Sequence, residues 1–264
     1  MEVQSVAKAM RLLEALAAGE AIQSVSDLAR NLGIDKSSAS RLLKTLESSG
    51  AVEQDPLSRG YMLGSMLVHL GQTVLRRLDL RTVAQPFLEN LVRDTGECAH
   101  LATLANGHAL YVSQATPPRG VNVDAPVGTL APLHCTALGK VLLAFQAENV
   151  ISSMVADMHM EKFTRRTVTY REDLIKQLRQ VREAGVAFDD EEFSIGVRCM
   201  AAPVFRHAGV VVGAIGISGP SPRVTDDRIH EWEPIVRDRA LELSTKLGWR
   251  PAPGGPTGLN AHTK

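Results

Sequence analysis

Cysteine is scarce in this 264-residue chain, and its three cysteines are far apart. Because Cys98, Cys135 and Cys199 are odd in number, they do not suggest the paired framework of a small secreted protein, and we expect free thiols in a reducing cytoplasm. The sequence also lacks long apolar runs and an amino-terminal charged region followed by an apolar stretch, which argues against a membrane span and a signal peptide. We therefore expect a soluble cytoplasmic protein without a membrane partner.

Net charge is also missing, since 29 Lys and Arg residues balance 29 Asp and Glu residues. A strongly basic chain would suggest nucleic-acid binding through its total charge, and this chain does not. Any prediction of DNA binding must therefore rest on local pattern. The length and the 44% hydrophobic content are sufficient for two packed domains.

Helical patterns fill most of the first fifty residues. Apolar residues recur at helical spacing over residues 5–18 and predict a first helix. A short second helix begins at Ser24, whose hydroxyl can cap it, and ends at Gly33. A third helix follows from Lys36 to about Ser49, with Asp35 as its N-cap. Two short helices joined by a tight turn are typical of a helix-turn-helix, in which the second helix lies in the major groove of DNA.

A hairpin pattern over residues 51–63 follows, with a turn beginning at Asp55 and closing at Gly60. This pattern predicts the wing of a winged helix-turn-helix. The outward face of the third helix is cationic and hydroxylic without an acid, although residues 1–62 hold seven Lys and Arg against eight Asp and Glu. The alternative is a three-helix packing module whose polar face is only solvated.

The predicted DNA contacts combine charge, planarity and hydroxyl groups. The planar donor fork of Arg41 matches a guanine edge, whereas Lys44 is better placed for phosphate, and hydroxyls and helix amino-terminal amides can also hold phosphate. Wings commonly contact the backbone or the minor groove, which makes the wing-tip Arg59 a further candidate. The predicted set is Ser24, Lys36, Ser37, Ser38, Ser40, Arg41, Lys44 and Arg59.

After a predicted linker helix over residues 65–78, strand and helix patterns alternate. This order predicts an α+β fold around a mainly antiparallel sheet. The predicted elements are a helix from Arg81, strand-rich runs over 100–115 and 121–128, a helix after Pro132, a charged helix over about 171–184, strands over about 198–205 and 210–218, and a helix over about 225–247.

The sequence resembles the IclR family of bacterial transcriptional regulators over nearly its whole length. In the first part, SVAKAMRLLEAL, SDLARNLGIDKSSASRLLKTLESSG and RGYMLG carry the resemblance. In the second part, LHCTALGKVLLA, REAGVAFDDEE and GVRCMAAPVFRHAGVVVGAIGISGP do so in the same order. Several matches in one order are more specific than any of them alone.

The resemblance implies a regulator, acting as a repressor or an activator, with a GAF-like α+β domain that binds a small organic acid or related metabolite. It also implies a homodimer or homotetramer. With the patterns above, we expect a winged helix-turn-helix over 1–63, a linker helix over 64–80 and an effector-binding and oligomerisation domain over 81–250. The Pro- and Gly-rich composition of residues 251–264 predicts a disordered tail. The implied effector-binding residues are Cys135, Thr136, Ala137, Leu138, Asp189, Cys199, Gly216 and Ser218. Many relatives carry a hydroxyl where this chain has Gly216, so the resemblance implies a roomier pocket or a lost hydrogen bond.

Elementary chemistry supports an acidic ligand at the turn that begins with His134. The free N–H groups and the dipole at a helix amino terminus form a natural carboxylate site, although a simple cap by Thr136 is the alternative. Asp189 could accept a hydrogen bond from a ligand hydroxyl, which would indicate a hydroxy acid or a sugar acid. For Asp190, Glu191 and Glu192, a solvated loop is the expected role.

Other chemistries find little support in the sequence. His100, His108, His134 and Cys199 lack the paired spacing of metal ligands, so we expect no metal. Cys135 beside His134 has no orienting partner for nucleophilic catalysis, so we expect no catalytic residue. The series Gly209, Gly213, Gly216 and Gly219 ends in a turn and not at the start of a helix, as a nucleotide-binding loop would, so we expect no cofactor. The alternatives to an effector-controlled regulator are a constitutive DNA-binding protein whose second domain only oligomerises, and an enzyme with a DNA-binding head.

Overall fold

The backbone divides after Leu78 into two units, each with its own buried core. In this computed structural model the described residues are 3–77, 79–118, 123, 125–206 and 209–250. The predicted disordered tail over 251–264 lies outside the described residues. The first unit spans Met1–Leu78 and the second spans Asp79–Lys264.

The first unit consists of a helical cluster, a hairpin and a further helix. Its second helix ends at Gly33, whose φ of 64° is left-handed and turns the chain directly into the third helix. Leucines of the three helices pack with Val52 and Tyr61 of the hairpin to form the core. The elements are α1 (Gln4–Ala18), α2 (Val25–Leu32), α3 (Lys36–Ser48), β1 (Val52–Gln54), β2 (Tyr61–Leu63) and α4 (Ser65–Arg77).

Helix caps fix where the two central helices begin. The Ser24 hydroxyl accepts a hydrogen bond from the Asp27 amide at 3.2 Å and donates to the Asp27 carboxylate at 2.6 Å. The Asp35 carboxylate accepts from the Ser38 amide at 2.8 Å. These bonds satisfy amides that have no partner inside a helix. The predicted capping of α2 and α3 and the winged helix-turn-helix fold are confirmed.

The second unit is an antiparallel sheet with helices on both faces. The elements are α5 (Asp79–Thr95), β3 (Cys98–Ala105), β4 (His108–Ala115), β5 (Leu130–Ala131), α6 (Ala137–Ala144), α7 (Glu148–Asp157), α8 (Arg171–Ala184), β6 (Ala187–Asp190), β7 (Val197–Phe205), β8 (Val211–Pro220) and α9 (Asp226–Lys246). Helices α5 and α9 contact each other and the sheet, and α6 packs on the sheet and against α8. The strands pair in the order β5-β4-β3-β8-β7-β6, each antiparallel to its neighbours.

The predicted α+β class with an antiparallel sheet is confirmed, and two local expectations change. Of the strand-rich run predicted over 121–128, residues 121, 122 and 124 lie outside the described residues, and the rest form no strand. The expectation that a solvated loop follows Asp189 is wrong for Asp190 and Glu192. Asp190 ends β6 and pairs with Arg198, while Glu192 is buried.

Candidate functional site

The outward face of α3 carries the predicted DNA contacts in the first unit. Lys36, Arg41 and Lys44 are exposed along one helix, and Ser40 is half-buried between them. The Arg41 Nη2 atom lies 3.5 Å from the Ser38 hydroxyl, a weak contact that leaves the guanidinium free to turn toward a base. This face therefore presents three cations and hydroxyl groups to the solvent.

The amino end of α3 carries the carboxylate of its cap, Asp35. The Asp35 carboxylate accepts the Ser37 hydroxyl at 2.6 Å as well as the Ser38 amide. These hydrogen bonds hold the pKa of Asp35 well below its usual range, so the group is ionised at neutral pH. A fixed negative charge at this position repels phosphate, and the phosphate contact predicted for the helix amides stays a prediction. Ser24 is likewise engaged in the cap of α2.

The wing tip is built around an Asp turn. The Asp55 carboxylate accepts from the amide and the hydroxyl of Ser58, and Arg59 follows with a left-handed φ of 60°. The Arg59 side chain is exposed, and Leu57 beside it is 93% exposed. The turn therefore holds one cation and one apolar side chain at the outermost point of the hairpin.

In the second unit, the amino end of α6 presents free amides inside the protein. The Thr136 hydroxyl accepts from the Gly139 amide at 3.1 Å and donates to the Pro132 carbonyl oxygen at 2.6 Å. Among the described residues, no acceptor is found for the amides of Ala137 and Leu138, which are both buried. The predicted cap by Thr136 therefore satisfies one amide and leaves two for an anionic partner.

Asp189 lies on β6 and is almost fully buried. Its Oδ1 atom accepts from the Glu192 amide at 2.7 Å, which closes the turn after the strand. Burial raises the pKa of Asp189 to about 7, and the nearby Glu192 charge acts in the same direction while Lys140 opposes it. A carboxyl with this pKa is partly protonated at neutral pH, so it can either accept or donate a hydrogen bond.

Cys199, Ser218 and Asp189 are brought together by strand pairing. Cys199 pairs in register with Asp189 on one side and with Ser218 on the other. Burial, followed by the Asp189 charge, raises the pKa of the Cys199 thiol, and the Ser218 hydroxyl opposes this shift. Burial, followed by the Asp189 charge, also raises the pKa of Cys135, so these predicted residues share one electrostatic environment.

Gly216 lies where β8 runs very close to β7. A Cβ atom at this position would lie 2.2 Å from the Met200 carbonyl oxygen and 2.8 Å from the Cα of Ala201. Both contacts are with the neighbouring strand, so any side chain would force β7 and β8 apart. The glycine therefore allows β7 and β8 to approach closely, and the roomier pocket or lost hydrogen bond implied by the resemblance stays a prediction.

Several buried polar residues near this region are not among the predicted site residues. Lys140 of α6 pairs with Glu192 at 2.6 Å between Nζ and Oε1, and both residues are buried. The ring of His100 on β3 meets Tyr111 on β4 edge-on, with 5.3 Å between centroids. Strand alternation places His100 on a covered face, but nothing local in the sequence identifies its neighbours on other strands.

The alternative chemistries find no site in the described part of the chain. His108 Nδ1 lies 3.0 Å from the Asn106 carbonyl oxygen, and His134 Nε2 lies 3.0 Å from that of Glu161. No group of three or more His, Cys, Asp or Glu side chains within the described ranges is arranged to hold a metal ion. None of the described helices is long and apolar enough to cross a membrane.

Comparison with known families matches both units. The description "Bacterial transcriptional regulator IclR C-terminal" matches residues 72–245, and "IclR helix-turn-helix domain" matches residues 5–56. The chain is 33% identical over 247 residues to the HTH-type transcriptional regulator XynR of Escherichia coli K12, covering 94% of this chain and 98% of XynR. It is 34% identical over 250 residues to the HTH-type transcriptional repressor AllR of the same strain, covering 95% of this chain and 92% of AllR.

Solved structures show the same similarity. The IclR protein of Thermotoga maritima matches with a TM-score of 0.71 at 29% identity, covering 94% of this chain and 100% of that one. An IclR homologue from Microbacterium hydrocarbonoxydans, solved in complex with 4-hydroxybenzoate, matches with a TM-score of 0.75 at 25% identity. That match covers 92% of this chain and 99% of the homologue.

Proposed function

This chain belongs to the IclR family of bacterial transcriptional regulators, and from that membership we propose that α3 and the wing bind an operator in double-stranded DNA under the control of a small organic acid. The observation that carries the DNA-binding half is the exposed, acid-free face of α3 that holds Lys36, Arg41 and Lys44. The observation that carries the effector half is the pair of free buried amides at the amino end of α6.

Within α3 we assign different roles to its cations. Arg41 reads a base, because its guanidinium has no strong internal partner and its fork matches a guanine edge. Lys36 and Lys44 contact phosphate, with Ser40 and the wing-tip Arg59 as further backbone contacts. Ser24, Ser37 and Ser38 contribute mainly through the caps that place α3.

The effector is a small carboxylate, and a hydroxy acid or sugar acid fits the polar groups around it. Its carboxylate lies at the amides of Ala137 and Leu138, beside Cys135 and the Thr136 cap. Asp189, Cys199 and Ser218 face its other polar groups. The homologue solved with 4-hydroxybenzoate supports this class, since that ligand carries both a carboxylate and a hydroxyl. Gly216 contributes through strand spacing.

Control requires more than one DNA-binding head. A single α3 face in a unit without excess positive charge gives weak binding, and two or more heads held together in a homodimer or homotetramer raise the effective affinity. In this proposal residues 1–63 form the DNA-binding head and residues 81–250 the effector-binding and oligomerisation domain. Residues 64–80 join the two. The protein acts in the cytoplasm and is not an enzyme.

The DNA-binding roles are tested after the preferred operator has been selected from random duplexes. We expect Arg41→Ala to reduce the difference in binding free energy between operator and random DNA by about 1–3 kcal/mol, because a base contact is lost. Lys44→Ala should weaken both affinities alike and reduce the salt slope by about one. Arg11→Ala, an exposed arginine on α1, is the matched control. A uniform loss for both α3 variants would contradict the assigned roles.

The effector role is tested by calorimetric titration with a panel of small acids, followed by operator binding at saturation. A true effector changes operator affinity by about 5- to 150-fold, and the operator changes effector affinity by the same factor. A binder that leaves operator affinity and oligomeric state unchanged would overturn the control mechanism. Absence of any binder would favour a constitutive DNA-binding protein.

A further inference from the structure

His100 is fully buried in β3, and neither of its ring nitrogens has a hydrogen-bond partner among the residues that the structure describes. By contrast, the buried His134 meets the Glu161 carbonyl oxygen, and the buried Ser113 donates to Gln85 at 2.9 Å. Buried polar atoms are normally paired, because an unpaired one gives up its bonds to water without a replacement. The unpaired imidazole therefore has both ring nitrogens available to hydrogen-bond to a bound ligand.

Strand register places this ring on the same face of the sheet as the candidate effector site. His100 pairs with Gly216, and two residues earlier on the same strand Cys98 pairs with Ser218. Ser218 in turn pairs with Cys199, which pairs with Asp189. Cys98, Ser218, Cys199 and Asp189 therefore form one line of paired residues across the sheet. Because residues two apart on a strand share a face, His100 lies on the same face as this line, one pair farther along β3.

Tyr111, the aromatic neighbour of His100, also lies close to Asp189 and Cys199 of the candidate effector site. The Tyr111 ring lies edge-on to the imidazole, and burial followed by the charges of Cys199 and Asp189 raises the pKa of Tyr111. Tyr111 also belongs to the core cluster that includes the first turn of α6, through Ala137 and Leu138. The imidazole therefore contacts a side chain of the core cluster that includes the first turn of α6.

The protonation state of the ring decides which ligand group it can bind. Burial lowers the pKa of His100 to about 4, so the ring is neutral at physiological pH. A neutral imidazole has one nitrogen that donates and one that accepts. A hydroxyl group can satisfy either nitrogen, since it both donates and accepts, whereas a carboxylate can satisfy only the donor.

We propose that His100 is an effector-binding residue that bonds to a hydroxyl group of a small hydroxy acid whose carboxylate lies at the amino end of α6. This inference rests on the proposed effector site and adds a requirement to it. The effector carries a hydroxyl, and His100 makes the protein prefer it over the corresponding deoxy acid.

Calorimetry with matched acids tests the preference in the full-length protein. The probes are glycolate, lactate, gluconate and 4-hydroxybenzoate, each compared with acetate, propionate, hexanoate and benzoate respectively. For at least one pair, the wild-type protein should bind the hydroxylated acid about tenfold more tightly or better. His100→Leu should abolish this preference, because Leu has similar volume and no polar atom. His100→Gln, which keeps a donor and an acceptor, should retain part of it.

Unfolding of the ligand-free protein separates a binding role from a structural one. If His100 waits for a ligand, His100→Leu removes unpaired buried polar atoms, and the denaturation midpoint should stay the same or rise. A fall in the midpoint together with an unchanged preference would show that the imidazole is structural and would overturn the inference. His230→Leu, an exposed histidine on α9, is the control for the substitution itself and should leave the preference unchanged.

The outcomes distinguish this inference from the proposed function. Acids that bind and change operator affinity, with equal affinity for both members of every pair, would keep the proposed function and overturn the role of His100. A hydroxyl preference that survives in His100→Leu would also overturn that role and keep the proposed function. No binding of any probe to the wild-type protein would overturn both the inference and the effector half of the proposed function.

Discussion

The Lys140 ammonium and the Glu192 carboxylate form a buried ion pair, with 2.6 Å between Nζ and Oε1. Lys140 lies one turn into α6, and Glu192 lies in the turn after β6, so the pair joins two elements of the candidate effector site. The Lys140 ammonium also donates to Gln177 of α8 at 3.2 Å. Because the Glu192 amide donates to Asp189, the pair also fixes the carboxyl that is proposed to face the effector.

Removing one member of this pair should be costly. Lys140→Met leaves the Glu192 carboxylate buried without its cation, and we expect the free energy of unfolding to fall by about 3–5 kcal/mol. The double variant Lys140→Met/Glu192→Leu should recover most of this loss, because no unpaired charge is left. Urea unfolding measures both. Arg228→Ala breaks an exposed pair with Glu231 and should cost less than about 1 kcal/mol; a Lys140→Met effect no larger than this would contradict the prediction.

Asp189 should make stability depend on pH in an unusual direction. Burial raises its pKa to about 7, above the value of about 4 in an unfolded chain. Between these values the folded state holds the proton more tightly, so this group lowers the free energy of unfolding as pH rises from about 4 to about 7. Asp189→Asn removes the effect because the Asn side chain does not titrate. Its amide oxygen can still accept the hydrogen bond from the Glu192 amide.

Urea unfolding of both proteins at several pH values measures this effect as a difference. The free energy of unfolding of Asp189→Asn should exceed that of the wild type by a margin that grows from pH 4 to pH 7 and is then constant. The growth cannot exceed about 1.4 kcal/mol per pH unit for a single proton. A margin that does not vary with pH would show that folding does not raise the pKa of Asp189.

Local signals in the sequence were sufficient for much of the fold. The caps at Ser24 and Asp35 and the left-handed Gly33 each act within a few residues, so the helix-turn-helix follows from the sequence alone. The charged helix α8 (Arg171–Ala184) has the predicted bounds, because its apolar stripe and the following Gly185 are also local signals.

The candidate site depends on partners that are distant in sequence. Lys140 and Glu192 are 52 residues apart, and the register that brings His100 near Gly216 spans more than a hundred. A single acidic run gave no sign that Glu192 is buried while Glu191 accepts from the Gly196 amide. Register and long-range pairing are set by packing, which no local pattern records.

The Cys199 thiol should react slowly with alkylating agents, and Asp189 should be a main reason. Burial and then the Asp189 charge raise the thiol pKa, and only the thiolate is a nucleophile. Asp189→Asn should therefore speed alkylation of Cys199 by iodoacetamide at pH 8. Cys98 and Cys135 are fully buried and should stay unlabelled in the folded protein. Peptide mass spectrometry after timed labelling gives each rate.

Asp190→Asn is the matched control for this labelling, because Asp190 is adjacent in sequence but pairs with Arg198. Its Cys199 labelling rate should equal that of the wild type. Ser218→Ala should slow the reaction, since the Ser218 hydroxyl bond stabilises the thiolate. Equal rates in all four proteins would mean that access, and not thiolate formation, limits the reaction.

Gly216 should not tolerate a hydroxyl-bearing side chain. In Gly216→Ser the new Cβ would lie 2.2 Å from the Met200 carbonyl oxygen, so β7 and β8 must separate, and we expect a loss of about 1–3 kcal/mol in the free energy of unfolding. Gly71→Ala is the matched control, because a Cβ at this helical position meets nothing within 4 Å. It should raise stability by about 0.5–1 kcal/mol. If Gly216→Ser is as stable as the wild type, β7 and β8 can separate without loss of stability, which would contradict this prediction. Gly216 would then affect only the shape of the effector site.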